Sequence, residues 1–314
     1  MEYSFPRYLL SKQSVDDRAL NPHVYAALRS SLQDQRPLHI VEVGAGIGSM
    51  LSRLLRWGLL DKAEYTAVDE AAENIRYARE WLPLQARGAG FNVEESSSSL
   101  RMYDESRDIQ VYLLASDVFD FARTQPPAAH LLIASAFLDL LPLPASLASL
   151  FSLVERDGLA WLTINFDGAT IFEPQVDAQF DAQVENLYHR SMDERLTAGQ
   201  PSGDSRVGRH LFSYLRQPPA SGREQAGAEI IEAGPSDWVV YPHHGGYPGD
   251  EAYFLHFILH FFERTLSGHP DLDPARFAGW LAARRLQIER GELVYIAHQM
   301  DFLVRVNQVT AGLR

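Results

Sequence analysis

The chain is predicted to be an α/β protein built on a doubly wound parallel sheet. Three observations carry that expectation. Short β-branched runs alternate regularly with helical stretches from His39 to Asn165. The first such run ends in a glycine turn that opens a helix. With 314 residues, 46% of them hydrophobic and 22% charged, the chain is long enough to bury both faces of a large sheet.

The elements follow in order. Residues 1–35 form a polar helical lead-in: Asn21-Pro22 supplies a cap with proline at the first helical position, and Val24, Ala27, Leu28 and Leu32 repeat at helical spacing. His39–Val43 is a strand, Gly44-Ala45-Gly46-Ile47-Gly48 its turn, and Met50–Leu60 its helix. A second strand, Glu64–Val68, ends at Asp69 and is followed by a helix over Asn74–Leu82. Phe91–Met102 is expected to be an inserted β-hairpin. The run Ser96–Ser99, free of Gly and Pro, is assigned to strand, and the hairpin feeds the strand Ile109–Ala115. Alternation resumes with strand Leu131–Ala134, helix Ala145–Val154 and strand Leu159–Asn165. Further on, helices are expected at Ala178–Leu196, Arg206–Leu215, Tyr253–Leu266 and Pro274–Glu289. Short and long strands are expected at Trp238–Tyr241 and Leu293–Val306.

Composition excludes several chemistries. There is no cysteine, hence no disulfide, thiol nucleophile, Cys-ligated zinc or iron–sulfur cluster. Asp plus Glu outnumber Lys plus Arg by 41 to 28, and a net charge of −13 repels phosphate backbones, so nucleic acid is not an expected partner. Only Lys12 and Lys62 are lysines, a bias attributable to a GC-rich genome. Met1–Lys12 has an early acid and no apolar run of signal-peptide length, and the apolar stretch Leu131–Val154 is broken by Asp139, Pro142 and Pro144. A cytoplasmic protein without membrane partners is the expectation; oligomeric state cannot be read.

The glycine turn is the strongest chemical signal. Small residues let backbone N–H groups and a helix N-terminus come close to a ligand. Asp69 stands 21 residues after Gly48 at the next strand end, where a carboxylate can accept from two ribose hydroxyls. Turn and acid together indicate a nucleoside-containing ligand, NAD among the candidates. The dinucleotide fingerprint, however, needs glycine where Ser49 stands.

Several segments together resemble the class I S-adenosylmethionine-dependent methyltransferases. VEVGAGIG (41–48) is similar to their first motif, TAVDE (66–70) to the second and LLASDVFDF (113–121) to the third. LLIASAFLDLLP (131–142) resembles the strand that borders the methyl group. Leu293–Val306 matches their long antiparallel edge strand. One departure is His130, where many members begin the fourth strand with Asp.

The resemblance implies a Rossmann-like doubly wound seven-stranded sheet with an antiparallel last strand, an N-terminal helical lid and helical cap insertions. It divides one domain, 1–314, into a lid (1–35), a cofactor core (36–168), a helical insertion (169–236) and final strands (237–314) carrying a helical cap at 248–290. It implies S-adenosyl-L-methionine as co-substrate. Gly44, Ala45, Gly46 and Gly48 would line its methionine part and ribose, with Glu42 organising the loop. Asp69 would hold the ribose, Glu70 would flank the adenine, and Asp117 with Val118 would meet its amino group and ring. Ser135, Ala136 and Phe137 would border the sulfonium.

The expected reaction is methyl transfer to a small-molecule acceptor on O, N or C. The sulfonium already activates the methyl, so the protein mainly holds the partners in line, worth about 7–11 kcal/mol in well-oriented systems. A general base helps a hydroxyl or ammonium acceptor. Eight of the eleven histidines follow residue 188, and His243 and His244 end a strand at the expected ligand edge. They and Asp139 are the catalytic candidates. Arg206 and Arg209, able to hold a carboxylate or phosphate, and Tyr188 and Tyr247, able to form an aromatic wall, are the substrate-binding candidates. Lys12, Asp16, Asp17 and Arg18 fall in the lid.

His256, His260 and Glu263 share a helix face with metal-ligand spacing, yet FLHFILHFFE (254–263) is equally a buried amphipathic helix. Asp139, Asn165 and Asp167 sit where some family members hold magnesium. The usual adjacent Asp-Asn pair is missing and no lysine follows Lys62, so a metal-independent enzyme is expected. Alternatives are a peptide or protein methyltransferase, or a non-catalytic S-adenosylmethionine sensor or assembly protein. Amino-base nucleic-acid methylation lacks its Asn/Asp-Pro-Pro-aromatic motif, and the pyrimidine C5 mechanism lacks its cysteine.

Overall fold

The computed structural model describes residues 2–32, 37–126, 128–197, 199–216 and 227–307. Parts of the expected lid (1, 33–35) and insertion (198, 217–226) lie outside them.

The chain opens with three helices, α1 (Phe5–Ser11), α2 (Gln13–Ala19) and α3 (Pro22–Leu32). The Asn21 side chain caps α3 as its sequence predicts, accepting from the backbone N–H of His23 and Val24 at 2.9 and 3.1 Å. Then come β1 (Leu38–Val43), α4 (Ser49–Arg56), β2 (Lys62–Asp69), α5 (Ala72–Gly88), the hairpin β3 (Asn92–Glu95) and β4 (Ser99–Tyr103), and β5 (Asp108–Ala115). They are followed by α6 (Val118–Thr124), β6 (Ala129–Ser135), a single 3-10 turn (Leu138–Leu140), α7 (Ala145–Phe151) and β7 (Val154–Glu173). The remainder is α8 (Ala178–Asp193), a two-residue pair β8 (Leu196–Thr197) and β9 (Gln200–Pro201), α9 (Val207–Tyr214), β10 (Gly227–Pro235), β11 (Trp238–Val240), α10 (Glu251–Leu266), α11 (Pro274–Glu289) and β12 (Val294–Asn307).

The central sheet runs β10-β12-β7-β6-β1-β2-β5-β4-β3, with β11 also on β12. Pairs β2–β5, β1–β2, β1–β6 and β6–β7 are parallel, whereas β12 is antiparallel to β7, β10 and β11. This is a Rossmann-like doubly wound sheet with an antiparallel last strand. Alternating side chains serve two cores. Leu131 and Ile133 join the cluster under α3, α4, α5, α8, α10 and α11, while Leu132 and Ala134 join the one under α6, α7 and α9.

Three differences from the sequence reading have physical causes. The sheet has ten strands rather than seven, because the β3–β4 hairpin extends one edge and the sixth-strand position is shared by β10 and β11. The serine run is not strand throughout: Ser96–Ser98 make the hairpin turn. Ser96 donates its N–H to the Ser99 carbonyl at 2.9 Å and its Oγ accepts from Ser99 N at 3.0 Å, a job hydroxyls do without Gly or Pro. The segment expected to be a helical insertion ends in β10, a glycine- and glutamate-bearing run that is a strand only because β12 offers it a partner.

Strand β7 continues far past the end of β6. Ser135 of β6 lies beside Thr163, yet β12 accompanies β7 to Glu173. Two irregularities in the β7–β12 pairing, with the extra residues on β7, leave His298 and Asp301 without a ladder partner on β7. Asp301, fully buried, uses that freedom to accept the N–H of Ile164, itself at a left-handed φ of 56°, at 2.7 Å, and that of Asn21 at 2.8 Å. One carboxylate thus ties the start of α3 to β7 and β12.

Candidate functional site

The carboxyl ends of β1, β2, β5 and β6 meet at the glycine turn. Gly44, Gly46 and Gly48 take left-handed φ values of 64°, 56° and 78°, which explains their residue type. The turn is held by Ala45 N–H on the Val68 carbonyl at 3.0 Å and by Gly46 N–H on Asp69 Oδ2 at 2.7 Å. Asp69 Oδ1 accepts from Ala71 N and Asn74 Nδ2 at 2.9 and 3.1 Å. The strand-end acid is therefore oriented by three donors and sits against the turn.

The neighbouring candidates fall around it. Glu42 is buried beneath the turn and accepts from the Tyr65 hydroxyl at 2.6 Å; burial pushes its carboxyl up to about 8. Glu70 is exposed beyond Asp69. Asp117 caps α6 through Oδ1, accepting from Phe119 and Asp120 N–H at 2.8 and 3.0 Å, and Val118 behind it is buried. After β6, Ala136 adopts φ 50°, a conformation costing an alanine about 1–3 kcal/mol, held by its N–H on the Thr163 carbonyl at 2.9 Å. That kink turns the Phe137 ring onto Gly44, where any Cβ would collide with it.

Helix α1 covers the same turn. A Cβ at Gly46 would stand 2.9 Å from Leu9 Cδ1. The lid is riveted by polar contacts: Arg18 reaches Glu251 at 2.7 and 3.0 Å, Arg7 reaches Asp250 at 2.9 Å, and Asp16 accepts from Lys12 Nζ at 2.8 Å and Trp238 Nε1 at 2.9 Å. Asp17 pairs with Arg53 and Arg56 of α4. The four lid residues singled out in the sequence are thus fastenings between elements.

Beyond Phe137 the 3-10 turn presents Asp139. Its Oδ1 is buried without a hydrogen-bond partner, and burial raises its pKa while Arg195 and Lys12 pull it down. Tyr188 stacks on Phe262 with ring centres 3.9 Å apart, its hydroxyl pushed up to about 12 by burial, with the Asp139 charge adding to the rise. Tyr8 of the lid is buried and feels the charge of both Asp139 and Tyr188. Asp139 and Tyr188 are therefore brought together.

The other candidates are not. His243 and His244 stand exposed in a turn after β11, with His243 against the Tyr241 ring at 4.4 Å. The reason is the overhang of the strands: β11 pairs with the end of β12 that faces Phe172, nine positions past Thr163. Tyr247 lies at that same far end, its hydroxyl donating to the Leu293 carbonyl at 2.8 Å. Arg209 is committed to Asp167, donating from N and Nε to Oδ1 at 2.8 Å each and from Nη2 to the carbonyl at 2.9 Å. Arg206 is exposed beside Gly168.

Among the described residues, no group of three or more His, Asp or Glu side chains is placed to hold a metal ion. His260 stacks on Tyr3 at 4.0 Å while Glu263 pairs with Arg285 at 2.5 Å. Asn165 donates to the Leu162 and Met300 carbonyls. Two residues escaped the sequence reading. Tyr8 shows only helical spacing, and Arg195 lies past the end of α8 where no helical periodicity points to it.

No protein-family model and no curated protein matches the chain. Solved structures of similar architecture include a SAM-dependent methyltransferase from Thiobacillus denitrificans in complex with S-adenosyl-L-homocysteine, 13% identical, covering 98% of this chain and 100% of that one at TM-score 0.46. A SAM-dependent methyltransferase from Geobacter sulfurreducens, with the same compound, is 14% identical over 96% and 99% at TM-score 0.46. The plantazolicin methyltransferase BamL is 11% identical over 96% and 89% at TM-score 0.42.

Proposed function

We propose that the chain transfers a methyl group from S-adenosyl-L-methionine to a small-molecule acceptor. The observation that carries this reading is the oriented Asp69 carboxylate against a left-handed glycine turn at the carboxyl edge of this particular sheet. The donor set fits the co-substrate. Gly44, Gly46 and Gly48, with Ala45 among them, present bare backbone against which Phe137, Leu9 and Leu82 pack. Asp69 retains acceptor capacity for a ribose diol, and Asp117 has a second oxygen free of its cap for an adenine amino group. Glu70 and Val118 flank the adenine in this reading, and Ser135, Ala136 and Phe137 border the sulfonium. Glu42 supports the turn from below rather than touching the ligand.

The co-substrate supplies a methyl on a positive sulfur, whose bond breaks as the acceptor's bond to carbon forms, leaving a neutral thioether. The protein's part is orientation, exclusion of water by Leu9, Phe137 and Tyr8, and removal of the acceptor's proton. Asp139, whose Oδ1 is buried without a partner, is assigned that last task in this reading. No metal is assigned a role, and turnover is expected to survive EDTA.

Isothermal titration with S-adenosylmethionine and S-adenosylhomocysteine tests the reading. Binding is expected, and Asp69→Ala is expected to weaken it by about 1–3 kcal/mol through lost charge-assisted hydrogen bonds. No binding at millimolar ligand would overturn the proposal. Binding without turnover of any acceptor would leave a sensor instead of an enzyme.

A further inference from the structure

The interior polar groups beyond Phe137 are mismatched among themselves. Asp139 Oδ1 is buried and lacks a partner. Arg195, half-buried, forms no side-chain hydrogen bond or ion pair among the described residues, although its backbone is pinned on both sides: its N–H donates to the Met192 carbonyl at 3.2 Å and its carbonyl accepts from Ser202 N at 2.8 Å. A carboxylate oxygen sealed from solvent without a donor is expensive to keep unless something satisfies it, and the charge of Arg195 acts on the same carboxyl. Other charged groups here are already used. Lys12 is on Asp16 at 2.8 Å, Asp204 is on His210 at 2.7 Å, and Arg209 is on Asp167. Tyr188, its ring stacked on Phe262, is within reach of both charges, and Tyr8, stacked at 4.5 Å on Phe257, is within reach of that of Asp139.

Resting on the methyl-transfer reading, we infer that the acceptor is a small aromatic or apolar carboxylic acid bearing a nucleophilic O–H or N–H. Arg195 takes its carboxylate, Tyr8 and Tyr188 flank its body, and Asp139 Oδ1 takes its proton. A guanidinium holds a carboxylate through two parallel hydrogen bonds, which sets the acceptor's direction, and the orphaned oxygen gains a donor at the same moment. In the reaction the acceptor's heteroatom forms its bond to the methyl carbon as the carbon–sulfur bond breaks and sulfur keeps that electron pair. The heteroatom's proton passes to the Asp139 carboxylate and leaves to solvent after product departs. The groups acting on Asp139 are Arg195 and Lys12, which favour its charged form, and Asp204, which opposes it.

The test uses the full chain, labelled S-adenosylmethionine and a panel of hydroxy- and amino-aryl carboxylic acids, each beside its primary carboxamide. Acids are expected to be turned over with kcat/KM about 10- to 100-fold above their amides, the range of a charge-assisted pair. Arg195→Met is expected to raise KM for acids by the same factor, leave S-adenosylhomocysteine affinity unchanged, and abolish the preference over amides. Arg195→Lys should restore part of it. Asp139→Asn is expected to lower kcat with little change in KM and to remove the acidic limb of the pH–rate profile. Equal turnover of acids and amides overturns the assignment, as does an Arg195→Met variant with wild-type KM. A protein that binds S-adenosylhomocysteine yet methylates none of the acids overturns the acceptor class while methyl transfer stands; one that does not bind it overturns methyl transfer itself.

Discussion

The two sides of the glycine turn are built on opposite principles. On the β2 side, partners are close in sequence: Asp69 orients itself through Ala71 and Asn74, and Asp117 caps the helix that begins at the next residue. On the β7 side, partners come from afar. Tyr8, Asp139, Tyr188 and Arg195 belong to the lid, the turn after β6 and the region of α8, and a buried carboxylate, Asp301, joins Asn21 to Ile164. Local chemistry makes a site that recurs with one sequence pattern. Long-range assembly makes one whose content depends on how the whole chain packs.

The largest test of that contrast is Gly44→Val. It imposes a β-branched residue on a left-handed φ and drives its side chain into Phe137, so S-adenosylhomocysteine binding is expected to vanish in a titration. Retained affinity would mean the turn is not the ligand's seat. Next in size is Arg209→Ala. Arg209 braces the overhang and touches no expected ligand, so loss of its partly exposed pair with Asp167 should cost about 1–2 kcal/mol in denaturant unfolding. Acceptor KM should stay unchanged; a raised KM would make Arg209, not Arg195, the anchor.

Glu42→Gln gives a smaller, pH-dependent effect. The folded carboxyl titrates at about 8, against an ordinary 4.5, so the native state holds a proton that the unfolded chain releases. Stability attributable to this group is full below about 4.5 and is lost as pH rises towards 8. The melting temperature of the wild type is expected to fall more steeply over that interval than that of Glu42→Gln, which keeps an acceptor for Tyr65. Parallel curves would show that Glu42 is not held protonated. Smallest of all, His243→Ala and His244→Ala should shift stability by less than about 0.5 kcal/mol and leave turnover at its wild-type value. A large loss of turnover would bring the overhang's tip back to the chemistry.

The same contrast explains what could be read from residues alone. The strand-turn-helix at Leu38–Arg56, the acid at Asp69, the cap at Asn21 and the bounds of α11 are all legible, because periodicity, glycine spacing and capping are local signals. β10 was not, since Gly227–Pro235 pairs only because β12 lies beside it. His243 and His244 are expected at the ligand edge if their strand is antiparallel-paired, and β11 does pair antiparallel with β12. The overhang of β7 and β12 carries them past that edge, and nothing in TINFDGATIFE (163–173) announces a strand that long. Arginines look alike in sequence, and only packing separates a brace such as Arg209 from an unpaired Arg195.

Leu9 and Phe137 lie against the turn from opposite directions, one from the lid and one from the kink after Ala136. In the methyl-transfer reading, a ligand seated at Gly44 and Gly46 requires both side chains to shift aside before they close over it. Its measured dissociation constant then contains the fraction of molecules already open, and its arrival and departure follow the clock of helix α1 rather than that of diffusion. Loosening the Arg18–Glu251 rivet would accordingly speed exchange in both directions, trading residence time for access.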